Sequence, residues 1–141
     1  MHEFPSPEIW LPHRISYGET DCMGVMYYAE YFHLFERSRN EFIRSLGMSY
    51  ADVEKKGILL PVREADCRYR SPARYDDLVY VRAAISDWGR ASLTFVYELW
   101  DEQKTRILAE GKTQHAVVNP QGRPVRMPDW FRALGEKNSN D

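Results

Sequence analysis

Cysteine is scarce in this chain of 141 residues: there are two, Cys22 and Cys67. They form no C-x-x-C pair and no zinc-like spacing, which excludes a disulfide scaffold and a zinc ribbon. The expectation is two reduced thiols in a cytoplasmic protein. Long apolar runs are missing as well. No stretch approaches the ~20 apolar residues that a membrane-spanning helix needs. The opening residues, "MHEFPSPEIWLPH", are polar and broken by proline, unlike the apolar centre of a secretory signal. Neither sign of charge dominates, since the formal net charge is -2, and this argues against a nucleic-acid binder. The four histidines, His2, His13, His33 and His115, are widely separated. Without an H-E-x-x-H pair, no metal is expected. No G-x-S-x-G, G-x-G-x-x-G or Walker loop occurs, so a serine nucleophile elbow and a glycine-cradled nucleotide are not expected either.

What the chain does contain is apolar and aromatic material, 43% and 13% of its residues. That composition belongs to a globular protein, and the length to one domain, 1–141. A first strand is expected over 10–17. From 27 to 46, Tyr27, Tyr31, Leu34, Phe35, Ser38, Phe42 and Leu46 recur at steps of three and four. Glu30, His33, Arg37, Asn40, Glu41 and Arg44 fall opposite, which describes an amphipathic helix. Gly47 stands where a left-handed C-terminal cap is wanted, and Ser49 and Gly57 bracket a second, short helix. Beyond Gly57 the period changes to two. "ILLPVREADCRYR", "YDDLVYVRAAISDW", "ASLTFVYELWD" and "TRILAEGKTQHAVVN" read as four strands joined by tight turns. "MPDWFRALGE" reads as a terminal helix beginning at Pro128, and "GEKNSND" as a frayed tail. Consecutive strands with short links make an antiparallel sheet, and the helix must bury its stripe against it. The expected class is α+β, a curved sheet wrapped around one long helix.

The segment "YGETDCMGVMYYAEYF", residues 17–32, precedes and enters that helix. Its Asp21 stands just before the expected helix start, where unpaired N–H groups and the helix dipole favour an anion. The anion could be a side chain or a developing oxyanion. Gly24 lets the backbone approach a ligand without a Cβ in the way. Tyr17, Tyr27, Tyr28 and Tyr31 supply flat apolar walls. On spacing alone, Asp21 as a simple turn cap and Asp21 as a chemical group both stand.

The stretch "ETDCMGVMYYAEYFHLFERSRNEF" resembles the signature of the 4-hydroxybenzoyl-CoA thioesterase family, hotdog-fold acyl-CoA thioesterases. "YRSPARYDDLVYVRAAI", "GRASLTFVYELWD" and "AEGKTQHAVVNPQGRPVRMP" are similar to its later strands, so the likeness spans about 10–130. The resemblance implies hydrolysis of a CoA thioester to a free acid and coenzyme A. It implies that Asp21 is the catalytic carboxylate, nucleophile or general base, with Gly24 and the N–H groups of residues 25–28, from Val25 to Tyr28, polarising the carbonyl. Many members carry His at the position of Tyr28, and others carry Tyr. The resemblance also implies a homodimer or homotetramer with its pocket between subunits, and no cofactor, since coenzyme A is part of the substrate.

The phosphates of coenzyme A call for cations. Arg70, Ser71 and Arg74 cluster in one segment, and Arg90 and Ser92 lie at the following hairpin turn. These are the candidate CoA contacts. A non-hydrolytic acyl-binding protein on the same fold is the alternative, because fold does not dictate function. A hotdog dehydratase needs a His–acid pair in the helix region, and no His lies near Asp21.

Overall fold

The apolar stripe does form the long helix, but it begins later than its period foretells. In the computed structural model, which describes residues 3–138, α1 runs Glu30–Ser45. Tyr27 and Tyr28 lie before it because the backbone there is committed elsewhere. The Met26 N–H donates to the Ala73 carbonyl at 2.7 Å and the Tyr27 N–H to the Glu19 carbonyl at 2.9 Å. Within α1, Tyr31, Leu34, Phe35, Ser38, Phe42 and Ile43 are buried. Gly47 ends the helix at φ +119°, a conformation a Cβ disfavours. The short α2, Tyr50–Lys55, starts as expected at Ser49, whose hydroxyl accepts the Asp52 N–H at 3.1 Å.

The first strand, β1, is Glu8–Arg14 rather than 10–17. The chain turns away at Ser16, whose N–H is drawn to the Glu19 carboxylate, and residues Tyr17–Glu19 make one 3-10 turn. Four further strands follow: β2 Val62–Tyr69, β3 Leu78–Trp88, β4 Ser92–Trp100 and β5 Ile107–Ala116. Along β4 the inner row Leu93, Phe95, Tyr97 and Leu99 is buried, as the alternation foretells. The last helix, α3, spans Asp129–Asn138, so the segment expected to fray stays helical through Gly135 to Asn138. A Cβ on Gly135 would stand 2.3 Å from Trp88 Cζ2, and this close approach explains a glycine inside the helix. Residues 139–141 of the expected tail lie outside the described residues, as does His2.

The five strands form one antiparallel sheet in the order β1-β3-β4-β5-β2. Short links alone lead one to expect β2 beside β3. Instead β2 pairs with β5 at the far edge, and residues 70–77 cross the end of the sheet to reach β3. α1 lies on the inner face, where Phe35 stacks on Tyr97 at 4.3 Å between centroids and 4° between planes. Gly111 on β5 makes that approach possible, because a Cβ there would come within 2.3 Å of Phe35 Cε2. This helix wrapped by a curved antiparallel sheet is the hotdog arrangement.

Candidate active site

The crossover segment is what holds the Asp21 loop. Thr20 bridges Met26, and Asp21 exchanges backbone hydrogen bonds with its own turn: its N–H donates to Val25 and its carbonyl accepts from Gly24, both at 3.0 Å. Gly24, at φ +81°, allows this tight reversal. The far side of the loop is strapped to the crossover. The Tyr75 N–H donates to the Gly24 carbonyl at 3.1 Å, and Val25 bridges Arg74.

Within that frame the Asp21 carboxylate is half-buried and only half-committed. Oδ1 accepts the Met23 N–H at 2.8 Å and the Val25 N–H at 3.4 Å. Among the described residues, nothing hydrogen-bonds its Oδ2. The loop thus engages one oxygen and leaves the other without a partner among the described residues. Asp21 lines a cleft of about 320 Å³ with Val25, Met26, Tyr28, Tyr31 and Tyr69, and among the described residues it is the only carboxylate lining it.

Of the amides expected to polarise a carbonyl, three are occupied. Val25 serves Asp21, Met26 serves Ala73 and Tyr27 serves Glu19. Among the described residues the Tyr28 N–H has no partner, and Tyr28 lines the same cleft, just ahead of α1. An unpaired N–H at the positive end of a helix dipole is suited to an oxyanion.

The tyrosines divide. Tyr31 is a buried wall of the cleft. Tyr28 is exposed at its rim, with Tyr27 packed on it at 4.7 Å and outside the lining. Tyr17 is 78% exposed and meets Tyr75 edge-on, away from the cleft. The alternating pattern of β2 did not single out Tyr69, yet its hydroxyl donates to the Tyr28 carbonyl at 2.9 Å and its ring meets Tyr31 edge-on at 4.8 Å. Burial is the largest cause raising its phenol well above the usual value, with Cys67 adding to it. Cys67 is itself pushed up to about 11 by burial, so it stays a thiol and is no rival nucleophile.

The candidate CoA contacts split between the two ends of the sheet. Arg70 and Ser71 line the cleft, and Arg74 bridges the Asp21 loop. Arg70 is paired with Glu110, whereas the exposed Arg74 guanidinium has no partner among the described residues. Arg90 and Ser92 sit at the β3–β4 turn. The segment 73–77 meets the Asp21 loop next to the opposite end of β3, about 33 Å along an eleven-residue strand. A single chain does not bring them to the cleft. A second cavity, about 250 Å³, lies further along α1 between Arg39, Tyr50 and His115.

A helix start offering a free amide and a carboxylate on a strapped loop, set on this sheet, define a hotdog-fold enzyme of the thioester-hydrolysing class. The chain belongs to the thioesterase-like superfamily, whose family model matches residues 15–134. It is 31% identical over 124 residues to the acyl-CoA thioesterase YbgC of Haemophilus influenzae, covering 86% of this chain and 90% of that one. It superposes on the DHNA-CoA thioesterase of Staphylococcus aureus with a TM-score of 0.84 at 30% identity, covering 92% and 90%. A 4-hydroxybenzoyl-CoA thioesterase, 18% identical and covering 90% and 97%, shares the fold at a TM-score of 0.81.

Proposed function

We propose that this chain hydrolyses an acyl-CoA thioester to the free acid and coenzyme A, with Asp21 acting on the thioester carbonyl. The observation that carries this reading is the pairing of the uncommitted Asp21 oxygen with the unpartnered Tyr28 N–H in one cleft. The carboxylate either attacks the carbonyl itself, giving a mixed anhydride that water then opens, or takes a proton from the attacking water. In both routes negative charge grows on the carbonyl oxygen, and the Tyr28 amide receives it. The thiolate of coenzyme A leaves. Carboxylate, amide and water suffice, so coenzyme A enters as substrate and no further group is required.

The reading includes a second copy of the chain. Among the described residues β2 is an edge strand bonded on one side only, and seven of its eight residues are exposed. A groove of about 380 Å³ runs between it and α1, lined by Phe32, His33, Glu36, Arg39, Val62 and Ala65. An unpaired edge beside such a groove fits antiparallel pairing with an identical strand about a two-fold axis. That pairing reverses the second sheet, so Arg90 and Ser92 of the partner subunit come to the end of the double sheet that holds Asp21. The split CoA contacts would then be reunited across the interface. The free thiols of Cys22 and Cys67 fit a reducing, cytoplasmic setting.

Thiol release from a panel of aromatic and aliphatic CoA thioesters, and from acyl-carrier-protein thioesters, tests the activity and finds the acyl group. Asp21→Asn should keep the fold and lose roughly 10²-fold or more in kcat. Hydrolysis near the wild-type rate in that variant removes Asp21 from the mechanism. Tight binding of CoA esters with no thiol release by the wild-type chain favours the acyl-binding alternative.

A further inference from the structure

Two residues before Asp21, another carboxylate is placed quite differently. Both oxygens of Glu19 meet His13 Nε2, at 2.9 and 3.0 Å, and Oε1 also accepts the Ser16 N–H at 2.8 Å. The other ring nitrogen, Nδ1, faces the Arg37 guanidinium at 3.3 Å. A guanidinium only donates, so Nδ1 accepts and the proton of the neutral ring lies on Nε2, directed at Glu19. The side chains of His13 and Glu19 are 10% and 19% exposed. Burial by itself would raise the Glu19 pKa, but the Ser16 N–H and His13 outweigh it and hold the group below the usual carboxylate range. Three elements are joined this way: Arg37 on α1, His13 on β1 and Glu19 on the 3-10 turn.

The connection reaches the cleft through the backbone. The Glu19 carbonyl accepts the Tyr27 N–H at 2.9 Å, and Thr20 and Met26 bridge just beyond. Glu19 is therefore the foot of the small hairpin that carries Asp21. The returning limb of that hairpin runs straight into Tyr28. A shift at Glu19 moves the acid and the amide together, and a displacement of about 1 Å in such a pair is enough to cost on the order of 10²-fold in rate.

We propose that Arg37, His13 and Glu19 form a positioning relay that sets the hairpin bearing Asp21 and the approach to Tyr28. The relay does not touch the substrate, and its kinetic role rests on the thioesterase reading above. Glu19→Ala, His13→Ala, Arg37→Ala and His13→Gln in the full chain are assayed with octanoyl-CoA and benzoyl-CoA, and by amide hydrogen exchange. Gln keeps an N–H donor for Glu19. Glu19→Ala and His13→Ala are expected to lower kcat about tenfold or more with KM changed less than about twofold. Exchange at Met26 and Tyr27 should quicken, the Glu19→Ala/His13→Ala double variant should be no worse than the worse single one, and His13→Gln should keep much of the turnover and of the amide protection that His13→Ala loses.

Wild-type kcat in folded Glu19→Ala, or a loss confined to KM, overturns the proposal. Should the alanine variants at 13 and 19 not fold, Arg37→Ala at its exposed position decides. Slower turnover with a loosened Tyr27 amide supports the relay, and wild-type behaviour of both overturns it. Asp21→Asn separates the two readings. Full hydrolysis by that variant sinks the thioesterase site, while the exchange at Met26 and Tyr27 still decides whether the relay holds the loop.

Discussion

Tyr69 on the edge strand β2 donates its phenolic hydrogen to the carbonyl of Tyr28, 2.9 Å away, just ahead of α1. The strand proposed to carry the dimer contact is thereby joined to the residue whose N–H is proposed to stabilise the oxyanion, through the peptide on its other side. Tyr69→Phe keeps the edge-on ring contact with Tyr31 and removes this bond together with the hydroxyl's interaction with the Cys67 thiol, a net loss of about 1 kcal/mol. A Tm lower by a few degrees and a severalfold lower kcat are expected, checked by thermal melts and steady-state thiol release. Unchanged kcat would reduce Tyr69 to packing.

Among the described residues Arg74 has an unpaired guanidinium beside the loop, whereas Arg70 is already paired with Glu110. Arg74→Ala is expected to raise KM for a CoA ester about tenfold, with little effect on kcat, if it meets a phosphate. Arg70→Ala should raise it less. Arg90→Ala should raise it as well if the proposed dimer carries this residue of the partner subunit to the cleft. Initial-rate kinetics on the three variants order them.

The edge of β2 gives a prediction on assembly. Ala65 lies near the middle of that strand and lines the groove beside α1. In the proposed dimer Ala65→Glu would set like charges close together at the two-fold axis, and it should shift the chain to monomer with loss of hydrolysis. Sedimentation velocity reads the mass. A fully active monomer would refute the shared-site arrangement.

Gly111→Ala sets a Cβ 2.3 Å from the Phe35 ring, which is fully buried against Tyr97. The ring has nowhere to retreat, so a loss of about 1–3 kcal/mol is expected by urea unfolding, of the kind seen for overpacked cores. An unchanged midpoint would mean that the helix shifts freely on the sheet.

His115 supplies a pH dependence. Its Nδ1 lies 2.8 Å from the Leu60 carbonyl, which can only accept, so Nδ1 carries the hydrogen. Its Nε2 then accepts from the Thr113 hydroxyl at 2.8 Å. Burial pushes its pKa down to about 4, from 6.5 in the open chain. The unfolded chain therefore takes up a proton that the folded chain refuses. The stability from keeping the ring neutral is complete above about pH 6.5 and falls as pH drops from there towards 4, by at most about 3 kcal/mol. Urea unfolding across that window should show the slope, and His115→Asn should flatten it.

The sequence was enough for the helix stripe, the Ser49 cap, the β4 alternation and the α+β class, because periodicity and capping are local properties of neighbouring residues. Through its motif and spacing it also singled out Asp21, Gly24 and Tyr28. It did not place α1's first turn, since that depends on Met26 and Tyr27 giving their N–H groups to Ala73 and Glu19. Nor did it reveal that β2 crosses to the far edge, or that Tyr69 meets Tyr28. Arg90 and Ser92 looked adjacent to Arg70 and Arg74 along the chain, but an extended strand separates them in space. Part of which amide stays free, and of which arginine stays unpaired, is decided by partners far along the chain, Ala73 for the Met26 amide and Glu110 for Arg70, and only the assembled fold brings such partners within bonding distance.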